Sequence, residues 1–154
     1  MPNPNVLNLS CERSLTAVPL IVLDTNAVLD WLLFRDPAMA PIAGAIESGR
    51  VRWVATAPMR DEFAHVLSRG LAARRGLDAA ECDATWLRHC APQPTAPPAP
   101  AALRCTDADD QKFIDLALAH RAVLLSKDHA VLRLKRRLLP LGVMAAKALE
   151  PAAS

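Results

Sequence analysis

Two aspartates in this chain follow apolar runs of the kind that forms buried strands. Asp24 directly ends the run Leu-Ile-Val-Leu at 20–23, and Asp128 comes shortly after a second apolar run at 122–126. Short apolar runs bounded by polar residues are typical of strands buried on both faces. Open parallel α/β sheets place their ligand sites at the carboxyl ends of strands, so we expect both carboxylates at one rim of such a sheet.

Two further acids occupy positions that could bring them to the same rim. Glu62 lies at the margin of the apolar stripe of a helix predicted at 56–69, where its carboxylate would be partly buried. A glutamate is rarely buried without a partner of opposite charge. Asp110 belongs to the acidic start of a later helix, together with Asp107 and Asp109. Acids in a first turn complement the helix dipole, but three acids in four positions exceed what capping requires.

Each acid also has an ordinary structural explanation. Asp24 and Asp128 precede predicted helices and could be N-caps, and Glu62 could be a solvated side chain. Collected in one pocket, however, two carboxylates about 4 Å apart repel by about 4 kcal/mol at an effective dielectric constant of about 20. Protons or cations must offset that repulsion, and carboxylate-rich oxygen sites suit Mg²⁺ or Mn²⁺. The pattern therefore predicts a divalent metal site.

The hydrophobic pattern predicts the elements that would position these acids. Strands are expected at 18–23, 51–55, 122–126 and 141–145, and helices at 27–34, 38–48, 56–69, 78–90, from 106 onward and at 129–139. This alternation favours a three-layer α/β/α fold with a central, mainly parallel sheet. Residues 1–17 are predicted to be a disordered tail, residues 18–150 a single domain, and the proline-rich stretch 92–100 an extended internal loop.

Composition narrows the classes of function. The net charge of +2 does not by itself indicate a nucleic-acid binder, and aromatic residues at 4% with no Tyr argue against stacking platforms for single strands. No run approaches the ~20 apolar residues of a membrane span, and residues 1–17 lack the features of a secretory signal, so we expect a cytoplasmic protein without a membrane partner. The four cysteines lack the close spacing of zinc ligands and are expected to be free thiols.

Three segments of the chain resemble the PIN-domain ribonucleases, in particular the branch described as toxin components of bacterial toxin–antitoxin systems. They are 21–26 (IVLDTN), 60–67 (RDEFAHVL) and 107–128, which begins DADDQKFIDLA. The resemblance implies that Asp24, Glu62, Asp110 and Asp128 form the acidic quartet of the family, as both catalytic residues and metal ligands, with Asp107 and Asp109 assisting. Ser126-Lys127 stands where this branch often has Thr-Gly, a departure that bears on how closely a substrate backbone can approach.

The resemblance further implies an endoribonuclease that uses Mg²⁺ or Mn²⁺ to hydrolyse single-stranded RNA. It would act as a toxin. A protein antitoxin is a candidate partner, and a homodimer is a candidate assembly that the sequence does not decide. Asn26, Ser126, Lys127 and Arg133 are candidate substrate-binding residues. Further basic candidates for phosphate contacts are Arg69, Arg74, Arg75, Lys135, Arg136 and Arg137.

Two other classes of protein are consistent with parts of this pattern. One is a catalytically silent module of the same fold that binds RNA or a protein partner. The other is a phospho-accepting receiver-like domain, which would need an Asp at the end of a middle strand. The strand predicted at 51–55 is followed by Thr56 instead, which counts against this second class.

Overall fold

The computed structural model describes residues 6–7, 18–71 and 78–149. Its strands are β1 (Val6–Leu7), β2 (Leu20–Leu23), β3 (Arg52–Ala55), β4 (Cys90–Pro92), β5 (Val123–Leu125), β6 (Ala145–Ala146) and β7 (Ala148–Leu149). Its α-helices are α1 (Thr25–Leu32), α2 (Ala40–Glu47), α3 (Ala57–Val66), α4 (Ala79–His89), α5 (Gln111–His120), α6 (His129–Leu132) and α7 (Lys135–Leu138). Short 3₁₀ turns occur at Pro37–Met39, Ala101–Leu103, Ala108–Asp110 and Leu139–Leu141, and a π-helical turn at Leu67–Leu71.

Five strands form one parallel sheet in the order β4-β3-β2-β5-β6, with helices on both sides. The predicted three-layer α/β/α fold is therefore confirmed. The central strand β2 pairs with β5 so that Leu23 faces Leu125, and their carboxyl ends reach the same rim of the sheet. Ile21 and Val22 are completely buried, as expected for an apolar strand covered on both faces.

Aromatic rings fix α3 and α4 against the sheet. Trp53 of β3 packs edge-to-face on Trp86 of α4, with ring centroids 4.6 Å apart, and Phe63 of α3 stacks on Trp86 at 5.1 Å. All three side chains are buried. Because Phe63 is anchored in this cluster, the orientation of α3 is set, and with it the position of the neighbouring residue Glu62.

The proline-rich stretch 92–100 contacts the rest of the domain at both ends. Its first residue belongs to β4, which pairs in parallel with β3 at the edge of the sheet. A proline is tolerated there because an edge strand leaves one side of its backbone unpaired. Near the other end Ala99 is buried, and its amide donates to Asp115 Oδ1 at 2.8 Å. This loop therefore packs onto the domain.

The C-terminal elements are shorter than the pattern predicts. The single helix predicted at 129–139 is divided into α6 and α7, and the last strand of the sheet is Ala145–Ala146, displaced from the predicted 141–145. Val6–Leu7 pairs in parallel with Ala148–Leu149. The rest of the predicted tail at 1–17 lies outside the described residues, and so does part of the connector after α3, at 72–77.

Two further expectations concern membranes and cysteines. Among the described helices, none combines the length and the apolar character that a membrane span requires. Cys82, Cys90 and Cys105 are free thiols, as expected, and Cys11 lies outside the described residues.

Candidate metal centre

Asp24 is held at the junction of β2 and α1, with only 3% of its surface exposed. One carboxylate oxygen, Oδ1, accepts the Ala27 amide at 2.7 Å and so caps α1. The other, Oδ2, accepts the Ser126 hydroxyl at 2.5 Å. Burial raises the pKa of Asp24, and the nearby negative charges of Asp128 and Asp30 add to that effect.

Ser126 joins the carboxyl ends of β2 and β5. Its hydroxyl donates to Asp24 and accepts the Asp128 amide at 3.1 Å, and the residue is 1% exposed. The two strand-end aspartates are thus connected through one buried hydroxyl group. A direct contact between Ser126 and a substrate stays a prediction.

Three carboxylates form the centre of the rim: Asp107, Asp110 and Asp128. One oxygen from each can be chosen so that all three lie within 4.8 Å of one another. Asp128 caps α6 by accepting the Ala130 amide at 2.8 Å, and Asp107 caps the following 3₁₀ turn by accepting the Asp109 amide at 3.0 Å. We call these three residues the acidic cluster.

Two members of the acidic cluster, Asp110 and Asp128, share a proton below about pH 7. Burial raises the pKa of Asp110 to about 7, and a hydrogen bond to Asp128 and the charges of Asp128, Asp107 and Asp24 contribute to that rise. The same hydrogen bond lowers the pKa of Asp128, helped by the Ala130 amide. Asp110 therefore holds the proton, and Asp128 is the ionised partner.

The donor set of the acidic cluster fits a hard divalent cation. Within the described residues, Oδ2 of Asp110 is buried and has no hydrogen-bond partner. An acceptor oxygen beside other carboxylates is satisfied by a proton or by a cation. Clustered carboxylate oxygens are the ligands that Mg²⁺ and Mn²⁺ prefer, so the residues present suit such an ion.

Glu62 reaches the rim from α3 and is linked to two other elements there. Its Oε2 accepts the hydroxyl hydrogen of Thr25, the neighbour of Asp24, in a short hydrogen bond. Its Oε1 lies 3.4 Å from the Lys112 ammonium nitrogen of α5. The Lys112 ammonium also donates to the Asp109 carbonyl oxygen at 2.5 Å. Glu62 is therefore at the predicted rim, paired with an internal cation and outside the acidic cluster.

The remaining candidates occupy more exposed positions. Asp109 is exposed and lies outside the acidic cluster, and Asn26 is exposed in the first turn of α1. Lys127 forms an ion pair with Asp30. Arg133 is exposed and lines a cavity close to the acidic cluster. Arg74 and Arg75 lie outside the described residues.

Three residues at this site, Thr25, Lys112 and Asp30, were not among the candidates predicted from the sequence. Asp30 had a visible signal, since it is the only charged residue in the apolar run 27–34. A charge in such a run requires a partner, which is Lys127. The contacts of Thr25 and Lys112 with Glu62 join residues from different elements, and no local pattern indicates them.

A known family model covers most of the chain. The model of a family described as the PIN domain matches residues 20–130 of the 154. The matched range contains all four acids of the predicted quartet and both other members of the acidic start of α5. Comparison with curated proteins finds no match to the chain.

Proposed function

The chain belongs to the PIN-domain family, and we propose that it is a divalent-metal-dependent endoribonuclease that hydrolyses phosphodiester bonds of single-stranded RNA. PIN domains are generally metal-dependent nucleases, and an acidic cluster compatible with metal binding is present. One observation carries the proposal. Asp107, Asp110 and Asp128 gather three carboxylates at the strand ends, and a buried oxygen of Asp110 faces no donor among the described residues.

Asp24, Glu62, Asp110 and Asp128 are proposed as the catalytic residues and metal ligands, with Asp107 as a further ligand. When bound, a Mg²⁺ or Mn²⁺ ion would supply Lewis-acid chemistry, making water a stronger nucleophile and stabilising charge on the leaving oxygen. Asp109, which lies outside the acidic cluster, is proposed only to hold Lys112 through its carbonyl oxygen.

The chain's own residues provide the order that this chemistry needs. Asp24 is fixed by two hydrogen bonds, from Ala27 and Ser126, so its carboxylate keeps one orientation. Lys112 holds one oxygen of Glu62 and lowers the negative charge of the rim before a cation enters. Asp110 must release the proton that it shares with Asp128, because a protonated carboxyl is a poor ligand.

The proposal is tested by incubating the full chain with labelled single-stranded RNA in Mn²⁺, in Mg²⁺ and in EDTA. Cleavage is expected only with a metal, and Asp128→Asn should reduce the rate at least about a hundredfold, since a ligand and its charge are removed. Asp61→Asn is the matched control, because Asp61 is exposed on α3 beside Glu62. Full activity in EDTA, or in Asp128→Asn, would defeat the metal-nuclease assignment.

A role as the toxin of a toxin–antitoxin pair is also proposed, on the resemblance of the three sequence segments to that branch. It predicts that induced expression in a bacterial cytoplasm arrests growth and that Asp110→Asn relieves the arrest. A protein antitoxin would be recovered as a suppressor of this arrest. The proposed homodimer is checked separately, by measuring the mass of the purified protein in solution.

The ion pair of Lys112 with Glu62 favours a second candidate, a catalytically silent PIN module that binds RNA or a protein. The Lys112 ammonium group already neutralises the Glu62 carboxylate, so this charge needs no metal ion to balance it. Such a module would bind RNA in EDTA and show no turnover in either metal. Lys112→Gln would then leave both properties unchanged.

A further inference from the structure

A cavity of about 400 Å³ lies beside the acidic cluster and is lined by Lys127, His129, Leu132, Arg133 and Lys147. We call it the basic cavity. Four of its five lining residues carry a basic side chain, and none is acidic. Its volume falls within the range of about 300–1,000 Å³ of ordinary ligand sites, so it has room for more than a simple ion.

The strand topology brings the basic cavity to the rim that carries the acids. Leu125 of β5 is paired with Ala146 of β6, so Lys127 and Lys147 follow the carboxyl ends of adjacent parallel strands. The Ser126 amide donates to the Ala146 carbonyl at 3.0 Å and holds these ends together. Lys127 and His129 are also the chain neighbours of Asp128. Two residues that line the basic cavity therefore flank Asp128, a member of the acidic cluster.

The cations of the basic cavity differ in how they are held. Lys127 is paired with Asp30, and this carboxylate raises the pKa of Lys127. The pairing fixes the lysine and offsets part of its charge. Arg133 and Lys147 are exposed, and neither has an acidic partner among the described residues. Two cations without acidic partners, in the lining of a cavity that contains no acid, make an attractive position for an anion.

We propose that the basic cavity binds the RNA backbone phosphate next to the one that is cut. This inference rests on the proposed function, and it names a subsite for that substrate. A strand crossing from the acidic cluster to the basic cavity would place one phosphate among the metal ligands and the next against Arg133 and Lys147. Guanidinium groups bind phosphate oxygens with two parallel hydrogen bonds, and lysine adds a point charge.

Binding is measured separately from cleavage. The full chain is titrated in EDTA against a fluorescent single-stranded oligoribonucleotide, by anisotropy at several NaCl concentrations. Arg133→Gln and Lys147→Gln should each weaken binding about tenfold, as expected when one charge-assisted hydrogen bond is removed. The slope of log K against log [salt] should fall by about 0.7 for each phosphate that the variant no longer neutralises. Arg52→Gln is the matched control, because Arg52 is exposed at the amino end of β3, away from the carboxyl ends of the strands, and does not line the basic cavity.

A competition arm identifies the source of the phosphate. A 5′-mononucleotide or inorganic phosphate should displace the labelled strand only at far higher concentration, because neither spans both parts of the rim. If either binds the wild type as tightly as the oligonucleotide does, and Arg133→Gln abolishes that binding, a strand subsite is ruled out. Unchanged RNA binding and salt dependence in both cavity variants would also overturn the inference.

These outcomes are distinguishable from failure of the proposed function. If the wild type cleaves RNA with metal but the cavity variants bind RNA normally, the nuclease assignment stands and the subsite is wrong. If no metal supports cleavage but the cavity variants lose RNA binding, the basic cavity does bind RNA phosphate, and the nuclease assignment, with the position of that phosphate next to a cleaved one, is wrong.

Discussion

Replacing Asp110 with Asn should stabilise the metal-free protein at alkaline pH. The pKa of Asp110 is raised from 3.8 to about 7, mainly by burial and then by its hydrogen bond with Asp128. A raised folded-state pKa means that the stability contributed by this carboxyl is present below about pH 4 and is lost as the pH rises through 7. An asparagine cannot ionise, and its amide can still donate to Asp128, so the variant avoids this loss.

The size of the effect follows from the pKa shift and the exposure of the side chain. About three pKa units at about 1.4 kcal/mol each give an upper bound of about 4 kcal/mol. Asp110 is only half-buried, and solvent screening reduces this to about 1–2 kcal/mol. For a domain of this size, that corresponds to a rise in Tm of about 2–8 °C at pH 8, with little difference at pH 4.

The assay is thermal unfolding in EDTA at pH 4, 6 and 8, for the wild type, Asp110→Asn and the control Asp109→Asn. Asp109 is exposed in the same turn and lies outside the acidic cluster, so its variant should follow the wild type at each pH. Adding Mn²⁺ at pH 8 should raise the Tm of the wild type and leave Asp110→Asn unchanged. An Asp110→Asn variant less stable than the wild type at pH 8 would refute the claim that ionised Asp110 is repelled by its neighbours.

Three further predictions follow from the same side-chain interactions. The affinity for Mn²⁺, measured by calorimetry, should rise as the pH increases from 6 to 8, because Asp110 must lose its proton to bind the ion. Binding should therefore release a proton. An affinity that does not change with pH would contradict this. Ser126→Ala should lower the free energy of unfolding at pH 7 by about 1–3 kcal/mol in urea titrations, because Asp24 loses a buried hydrogen-bond donor. The control Ser68→Ala should have little effect, because Ser68 is exposed. Trp86→Ala should lower the free energy of unfolding by about 3–5 kcal/mol in the same assay, because Trp53 and Phe63 both lose their ring partner. A decrease below about 1 kcal/mol would show that the aromatic rings do not hold α3 in place.

The parts of the fold that were predicted correctly are those with a strong local signal. The runs at 20–23 and 122–126 are apolar almost throughout, so burial on both faces could be read directly, and their parallel pairing followed from the alternation of elements. β4 was missed because Cys90–Pro92 has neither length nor alternation, and its strand conformation depends on the free edge of β3. The interruption between α6 and α7 was missed because apolar and basic residues continue across it with helical spacing.

The candidate site was predicted to a similar extent and for similar reasons. Strand-end positions identified Asp24 and Asp128, and the dense acids before α5 identified Asp107 and Asp110. Which oxygens converge could not be predicted, because that depends on how the 3₁₀ turn Ala108–Asp110 meets the end of β5. The partners of Glu62 were likewise unpredictable, since Thr25 and Lys112 are supplied by two different helices.

Helix capping accounts for Asp24 and for two of the three members of the acidic cluster, and the exception, Asp110, is therefore informative. Asp24, Asp107 and Asp128 each accept a backbone amide at the start of a helix or turn, so folding alone would justify an acid at these positions. Asp110 makes no side-chain capping bond to its helix, and one of its oxygens is buried without a donor among the described residues. Ionised Asp110 raises the free energy of the folded state, and a neutral hydrogen-bonding residue or an apolar residue at this position would avoid that increase. A carboxylate whose ionised form destabilises the metal-free protein is best explained by what binds to it, so the case for a cation depends on Asp110 more than on the three capping aspartates.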